Sequence, residues 1–187
     1  MTRICGMASN RGRNLRHLHE QRPGGADLAV VLSNQADAPV LDWAEDQGIS
    51  TAVERLGDDS RADHERRIVE TLSEYDIDLV CFDGYMRVVT ETFLEALPLT
   101  LNVHPSLLPA FPGMDAWGDA LKAGVSVTGC TVHVVTEEVD GGPIVTQEPV
   151  PVYADDDRDT LKDRVLYEGE FAAYPRAVRW VAEGRVS

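Results

Sequence analysis

The chain has 187 residues, enough for one domain that buries roughly 70% of its unfolded surface. Thirty-two acidic residues face 17 basic ones, giving a formal net charge of −15, and Lys122 and Lys162 are the only lysines. With no basic footprint for nucleic acid, no run near the roughly 20 apolar residues of a membrane span and no secretory signal around Arg3, composition sets those classes aside and predicts a cytoplasmic protein.

Two kinds of period alternate along the chain. The runs RICGMAS (3–9), DLAVVLS (27–33), DLVCFDGY (78–85) and TLNVHP (100–105) are short, apolar and rich in β-branched residues, as buried strands are. Between them NLRHLHEQ, APVLDWAEDQG and RADHERRIVETLSEY carry apolar residues at helical spacing, with Gly48 placed as a stop signal. Strands of this kind alternating with helices predict a mostly parallel sheet covered on both faces. The segments SVTGCTVHVVT (126–136) and GGPIVTQEPVPV (141–152), joined by EEVDGG, predict an antiparallel or mixed extension of that sheet. Residues 158–184 read as a closing helix that starts near Asp157 or Asp159 and is kinked or divided at Pro175. No linker or internal repeat interrupts this order, so one α/β domain over 1–187 is expected.

The acidic residues are spread along the chain, with ADDDRD (154–159) the one dense cluster. Diffuse acidity favours a surface adapted to high salt over a cationic partner, because salt screens the self-repulsion of solvated carboxylates. Cys5, Cys81 and Cys130 are odd in number and lie in apolar runs, which predicts buried thiols instead of disulfides or a zinc site.

The first strand runs into SNRGRNL (9–15) and then a helix. Neither the dinucleotide fingerprint nor a P-loop is present. The turn still offers Gly12, backbone N–H groups at a helix start and two cations, Arg11 and Arg13; an anion site and an ordinary tight turn with solvated arginines both fit. In open parallel sheets ligands bind beyond the carboxyl ends of the strands, where SNRG, DGYM and TLNVHP all terminate. Alternation along a strand puts Asn102 and His104 on the same side, and Pro105 and Pro109 stiffen the chain just after them. Asp140 precedes Gly141, Gly142 and Pro143, a turn suited to close approach of a ligand.

Each of these has a plainer reading: His104 as a satisfied strand-end histidine, Asp140 as a turn residue. Nucleophilic alternatives fit badly, since Ser106 lacks a G-x-S-x-G elbow and Cys130 merely lies three residues before His133. Metal binding by His104, His133 and Asp140 has no ligand-spacing support, so no metal is expected. An Asn, a His and an Asp without a side-chain nucleophile suit a reaction whose nucleophile belongs to a substrate. Asn102 then donates to a developing oxyanion, His104 moves a proton and Asp140 holds the imidazole and favours its charged form. His133 reads as a supporting histidine.

These segments resemble the phosphoribosylglycinamide formyltransferase family, the folate-dependent enzymes of purine biosynthesis. SNRGRNL, VLSNQADA, DGYMRVVT, LNVHPSLLPAFPG, GCTVHVVTEEVDGGPIVTQEPVPV and EFAAYP occur in family order and cover nearly the whole chain. The resemblance implies a Rossmann-like sheet and transfer of the formyl group of 10-formyltetrahydrofolate to the amine of glycinamide ribonucleotide. It implies small-molecule substrates and neither a metal nor a covalent enzyme intermediate, with no nucleic-acid or membrane partner and a monomer or homodimer. It marks Asn102, His104 and Asp140 as catalytic. Gly12, Arg13, Asn14 and Glu170 then hold the ribonucleotide, and Arg61, Met86, Arg87, Val88, Val89 and Asn102 contact the folate. Asn10 and Arg13 stand where the family usually has a glycine and a serine, and PGMDAWGDAL (112–121) lacks histidines often found there. The competing expectations are a formyltetrahydrofolate hydrolase, formyl transfer to another amine, and a non-catalytic binding protein on the same scaffold. The first two use the same three residues, and the third has no use for a polarising Asp.

Overall fold

The computed structural model describes residues 1–186 as one seven-stranded sheet with helices on both faces. In chain order the elements are β1 (Arg3–Met7), α1 (Arg13–Gln21), β2 (Asp27–Ser33), α2 (Pro39–Asp46), β3 (Ser50–Val53), α3 (Arg61–Leu72), β4 (Leu79–Phe82) and α4 (Glu91–Ala96). They continue with β5 (Thr100–His104), α5 (Ala116–Ala123), β6 (Val127–Val134), β7 (Ile144–Pro151), α6 (Arg158–Arg164), a π-helical turn Val165–Glu170, and α7 (Phe171–Ala182). Among the described residues no helix is long and apolar enough to cross a membrane.

The strand order is β3-β2-β1-β4-β5-β6-β7. The first five pair in parallel, and β6 and β7 extend the sheet antiparallel. The winding direction reverses between β1 and β4, so the two chain segments leaving those strands diverge and open a crevice. Alternation along the strands divides the core. Ile4, Val31, Leu79 and Cys81 face α1, α2 and α7, whereas Cys5, Val30, Leu32, Val80 and Phe82 face α3 and α4. All three cysteines are buried and free. The buried Tyr174 hydroxyl on α7 donates to the carbonyls of Phe82 (2.8 Å) and Leu101 (3.1 Å), fastening the helix over β4 and β5.

The closing helix starts where expected, with Asp157 capping Asp159 N–H and Thr160 N–H. Its division lies elsewhere than expected. The break is the π-helical turn at Val165–Glu170, and Pro175 sits inside α7. Pro175 cannot supply the N–H that Phe171 C=O would accept; His17 Nε2 takes that carbonyl at 3.2 Å instead. Three elements carried too little period to be read from sequence: the short edge strand β3, the six-residue α4, and α5 after a Pro/Gly-rich stretch.

Candidate active site

His104 and Asp140 face each other at the end of β5, and Asn102 joins them through His133, whose Nε2 lies 3.8 Å from Asp140 Oδ1. Asn102 and His104 lie on the same side of the strand, as period 2 requires, and His104 is 4% exposed. The β6–β7 connection brings Asp140 over them in a left-handed conformation (φ 55°). Its Oδ2 stands 3.4 Å from His104 Nδ1 and accepts the Gly113 N–H at 2.9 Å. His104 Nε2 donates to the Phe111 carbonyl at 2.9 Å. Both ring nitrogens therefore face oxygen atoms, the Phe111 carbonyl and the Asp140 carboxylate. At 3.4 Å the Asp140 contact is longer than a well-formed hydrogen bond.

The turn after His104 is rigidly held. Ser106 Oγ donates to Ala110 O and Phe111 O, Thr131 Oγ1 donates to Ser106 O, and Leu108 N–H donates to Thr131 Oγ1. His133, on β6 opposite Asn102, completes the group. Burial lowers its affinity for a proton, its Nδ1 donates to Val134 O at 3.0 Å, and its Nε2 is left as an acceptor. Asn102 Nδ2 donates to that Nε2 at 3.1 Å, which fixes the amide and leaves its second N–H for another oxygen. His133 is thus the residue that orients Asn102, a role invisible without the cross-strand register. Among the described residues no group of three or more His, Cys, Asp or Glu side chains is arranged to hold a metal ion.

Two cavities flank this edge. The first, of about 520 Å³, lies in the crevice between β1 and β4 and is lined by Asn10 to Asn14, Asp83, Gly84, Val103, Pro105, Trp117, Lys162, Leu166 and Glu170. Gly12, Arg13, Asn14 and Glu170 therefore share one chamber. Gly12 caps α1 with φ 58°, and a Cβ there would lie 2.3 Å from Val40 Cγ2, so only glycine fits. Asp83, not singled out in the sequence, anchors the turn: its Oδ2 accepts the N–H groups of Asn14 (2.8 Å) and Leu15, and its Oδ1 accepts Asn14 Nδ2 (3.1 Å). Its position in DGYM at the end of β4 was the available signal. Asn14 Nδ2 also donates to Glu170 Oε2 at 2.6 Å, while Asn14 Oδ1 is buried without a partner among the described residues.

The second cavity, of about 270 Å³, contains Arg61, Met86, Arg87, Val88 and Val89, together with Leu56, His64, Glu65 and Tyr85. The buried Glu65 carboxylate accepts the Thr90 N–H at 2.9 Å and the Thr90 hydroxyl, holding the end of this segment. Gly84 lines one chamber and Tyr85 the other, and Ser9 Oγ accepts the Met86 N–H at 2.9 Å, so the chambers are neighbours. Asn102, His104 and Asp140 belong to neither lining, although Val103 and Pro105 on either side of His104 line the first.

Burial pushes the Glu170 carboxyl up to about 7, against the opposing pull of the Asn14 amide. The folded value lies above the ordinary 4.5, so across that interval the native state keeps a proton the unfolded chain has lost. Stability consequently falls as pH rises between those values, by on the order of 3 kcal/mol. Thermal unfolding followed from about pH 5 to about pH 7 is expected to show a declining Tm in the parent and a flatter profile in Glu170→Gln. Parallel profiles would contradict this account of the buried acid.

Comparisons with known proteins identify the family. The formyl transferase family matches residues 2–178. The trifunctional purine biosynthetic protein adenosine-3 of Gallus gallus is 40% identical over 191 residues, covering 98% of this chain, which spans only 19% of that relative's length. The phosphoribosylglycinamide formyltransferase of Haemophilus influenzae is 36% identical over 191 residues, covering 100% of this chain and 90% of its own. The crystal structure of glycinamide ribonucleotide transformylase 1 from Symbiobacterium toebii matches with TM-score 0.95 at 43% identity, covering 100% of this chain and 90% of that one. The chain thus shares the fold of glycinamide ribonucleotide transformylase 1 and belongs to the formyl transferase family, among relatives that bear the name phosphoribosylglycinamide formyltransferase.

Proposed function

We propose that this chain transfers the formyl group of 10-formyltetrahydrofolate to the amine of glycinamide ribonucleotide. The observation that carries the reading is the facing of His104 and Asp140 at the end of β5, joined to Asn102 through His133, beside two neighbouring chambers, in a member of the formyl transferase family. The ribonucleotide occupies the first chamber against Gly12, Arg13, Asn14 and Glu170. The folate lies against Arg61 and Met86 to Val89, with its formyl group beside Asn102.

The substrate amine attacks the formyl carbon, and the carbonyl oxygen gains negative charge. Asn102 donates its free amide N–H to that oxygen, held in aim by His133. His104 Nε2 is committed to the Phe111 carbonyl, so Nδ1, next to Asp140, is the nitrogen that serves the reacting centre. Asp140 stabilises the charged imidazole and lies on the route by which the amine proton leaves. Collapse of the tetrahedral intermediate breaks the bond from carbon to N10, and N10 takes up a proton.

Residues 1–187 act in this reading as one formyltransferase domain, cytoplasmic, monomeric or homodimeric, without nucleic acid. The continuous sheet and the charge of −15 support it. The same charge supports adaptation to high salt. Purified protein is to be assayed with 10-formyltetrahydrofolate, with and without glycinamide ribonucleotide, in dilute buffer and in molar salt. Deformylation that requires the ribonucleotide and strengthens in salt is expected. Formate release without it would mark a hydrolase, and binding without turnover a silent binder. Full activity and Tm in dilute buffer would remove the salt adaptation.

A further inference from the structure

Resting on that reading, we propose that Lys162, carried on the face of Trp117, is a specificity-determining residue of this chain: a third cation, with Arg11 and Arg13, that fixes the ribonucleotide's phosphate. Three cations line the first chamber of a chain that has 32 acidic residues against 17 basic ones. Arg11 lies on the turn before α1 and Arg13 is the first residue of that helix, and Lys162 comes from α6 across the cavity. The two sides are drawn together where Arg13 Nη1 meets Asp163, the residue after Lys162, at 3.2 Å.

The partners of these charges differ. Arg13 is paired with Asp163, and Arg158, one helical turn before Lys162, is paired with Asp115 at 2.8 Å. Lys162 has no carboxylate within ion-pair distance among the described residues. Its ammonium instead lies 5.2 Å from the centroid of the Trp117 ring, which also carries Arg158 at 5.3 Å. An indole face attracts a cation without cancelling its charge, so Lys162 is positioned yet remains free for an anion. Trp117 lies in the 112–121 segment that lacks the histidines often found in the family, and its ring supplies this platform instead. A phosphate is the group that three such charges suit, because each charge-assisted hydrogen bond to its oxygens adds to the last.

The test uses the active enzyme and two acceptors, glycinamide ribonucleotide and the same compound without its phosphate. Lys162→Met is expected to raise KM for the ribonucleotide about tenfold to a hundredfold, with kcat held within about threefold. Lys162→Arg is expected to recover most of the loss, and Trp117→Leu to fall between. For the acceptor without phosphate, Lys162→Met and the parent are expected to give the same KM. An unchanged KM for the ribonucleotide, or an equal rise for both acceptors, would overturn the assignment. Absence of any transfer by the parent enzyme would instead sink the proposed function itself.

Discussion

His104→Ala and Asp140→Asn are each expected to lower turnover by about a hundredfold or more while the protein remains folded. Removing one donor from a preorganised oxyanion site costs roughly 3 kcal/mol, and a group that also moves a proton is worth at least as much. In Asp140→Asn the amide oxygen can still accept the Gly113 N–H, so the loop keeps its anchor, and the change isolates the charge that faces His104 Nδ1. In His104→Ala the Phe111 carbonyl still has the Ser106 hydroxyl at 3.1 Å, which preserves the turn. Steady-state kinetics together with circular dichroism melting check this. Near-normal turnover in either variant, with the fold intact, removes the residue from the chemistry.

Gly142→Ala damages the site from behind. A Cβ at Gly142 would sit 1.8 Å from the Val134 carbonyl oxygen and 3.2 Å from Thr136 Cγ2, so backbone has to move. That carbonyl accepts His133 Nδ1, and His133 in turn aims Asn102. One methyl group therefore reaches the proposed oxyanion donor through two hydrogen bonds, besides shifting the loop that carries Asp140. Overpacking of this kind costs about 1–3 kcal/mol, and displacing a catalytic group by about 1 Å is enough to cost about a hundredfold in rate. Gly141→Ala is the control, because the nearest atoms its Cβ would meet belong to the Glu138 side chain, which can swing aside, and not to backbone. A fall in both Tm and kcat for Gly142→Ala, with neither for Gly141→Ala, is expected. Equal behaviour of the two variants would show that the close approach at Gly142 does not govern the site.

What could be read from the sequence followed from periodicity. Runs such as DLAVVLS announce a buried parallel strand, and alternation in TLNVHP was enough to aim Asn102 and His104 the same way. The β6–β7 extension was equally legible, since its turn residues bound two long β-branched runs. What escaped depended on contacts between distant segments. Asp83 holds the α1 turn through backbone N–H groups that no residue pattern displays. The division of the closing helix at 165–170, ahead of Pro175, leaves no mark in composition, because a π-turn is built from ordinary helix formers. His133 reads from sequence as a supporting histidine, and only the register, which places it opposite Asn102, shows what it supports. Arg13 and Lys162 are 149 positions apart, and only the folded chain shows that they line one chamber.

The proposed reaction is direct passage of one carbon between two bound substrates. It is tested by a single-turnover reaction of the enzyme with ribonucleotide and 10-formyltetrahydrofolate carrying ¹³C in the formyl group, followed by NMR. All label is expected in the formamide of the ribonucleotide, at a rate that Asp140→Asn lowers by about a hundredfold. Label in free formate, or on the protein, would contradict it.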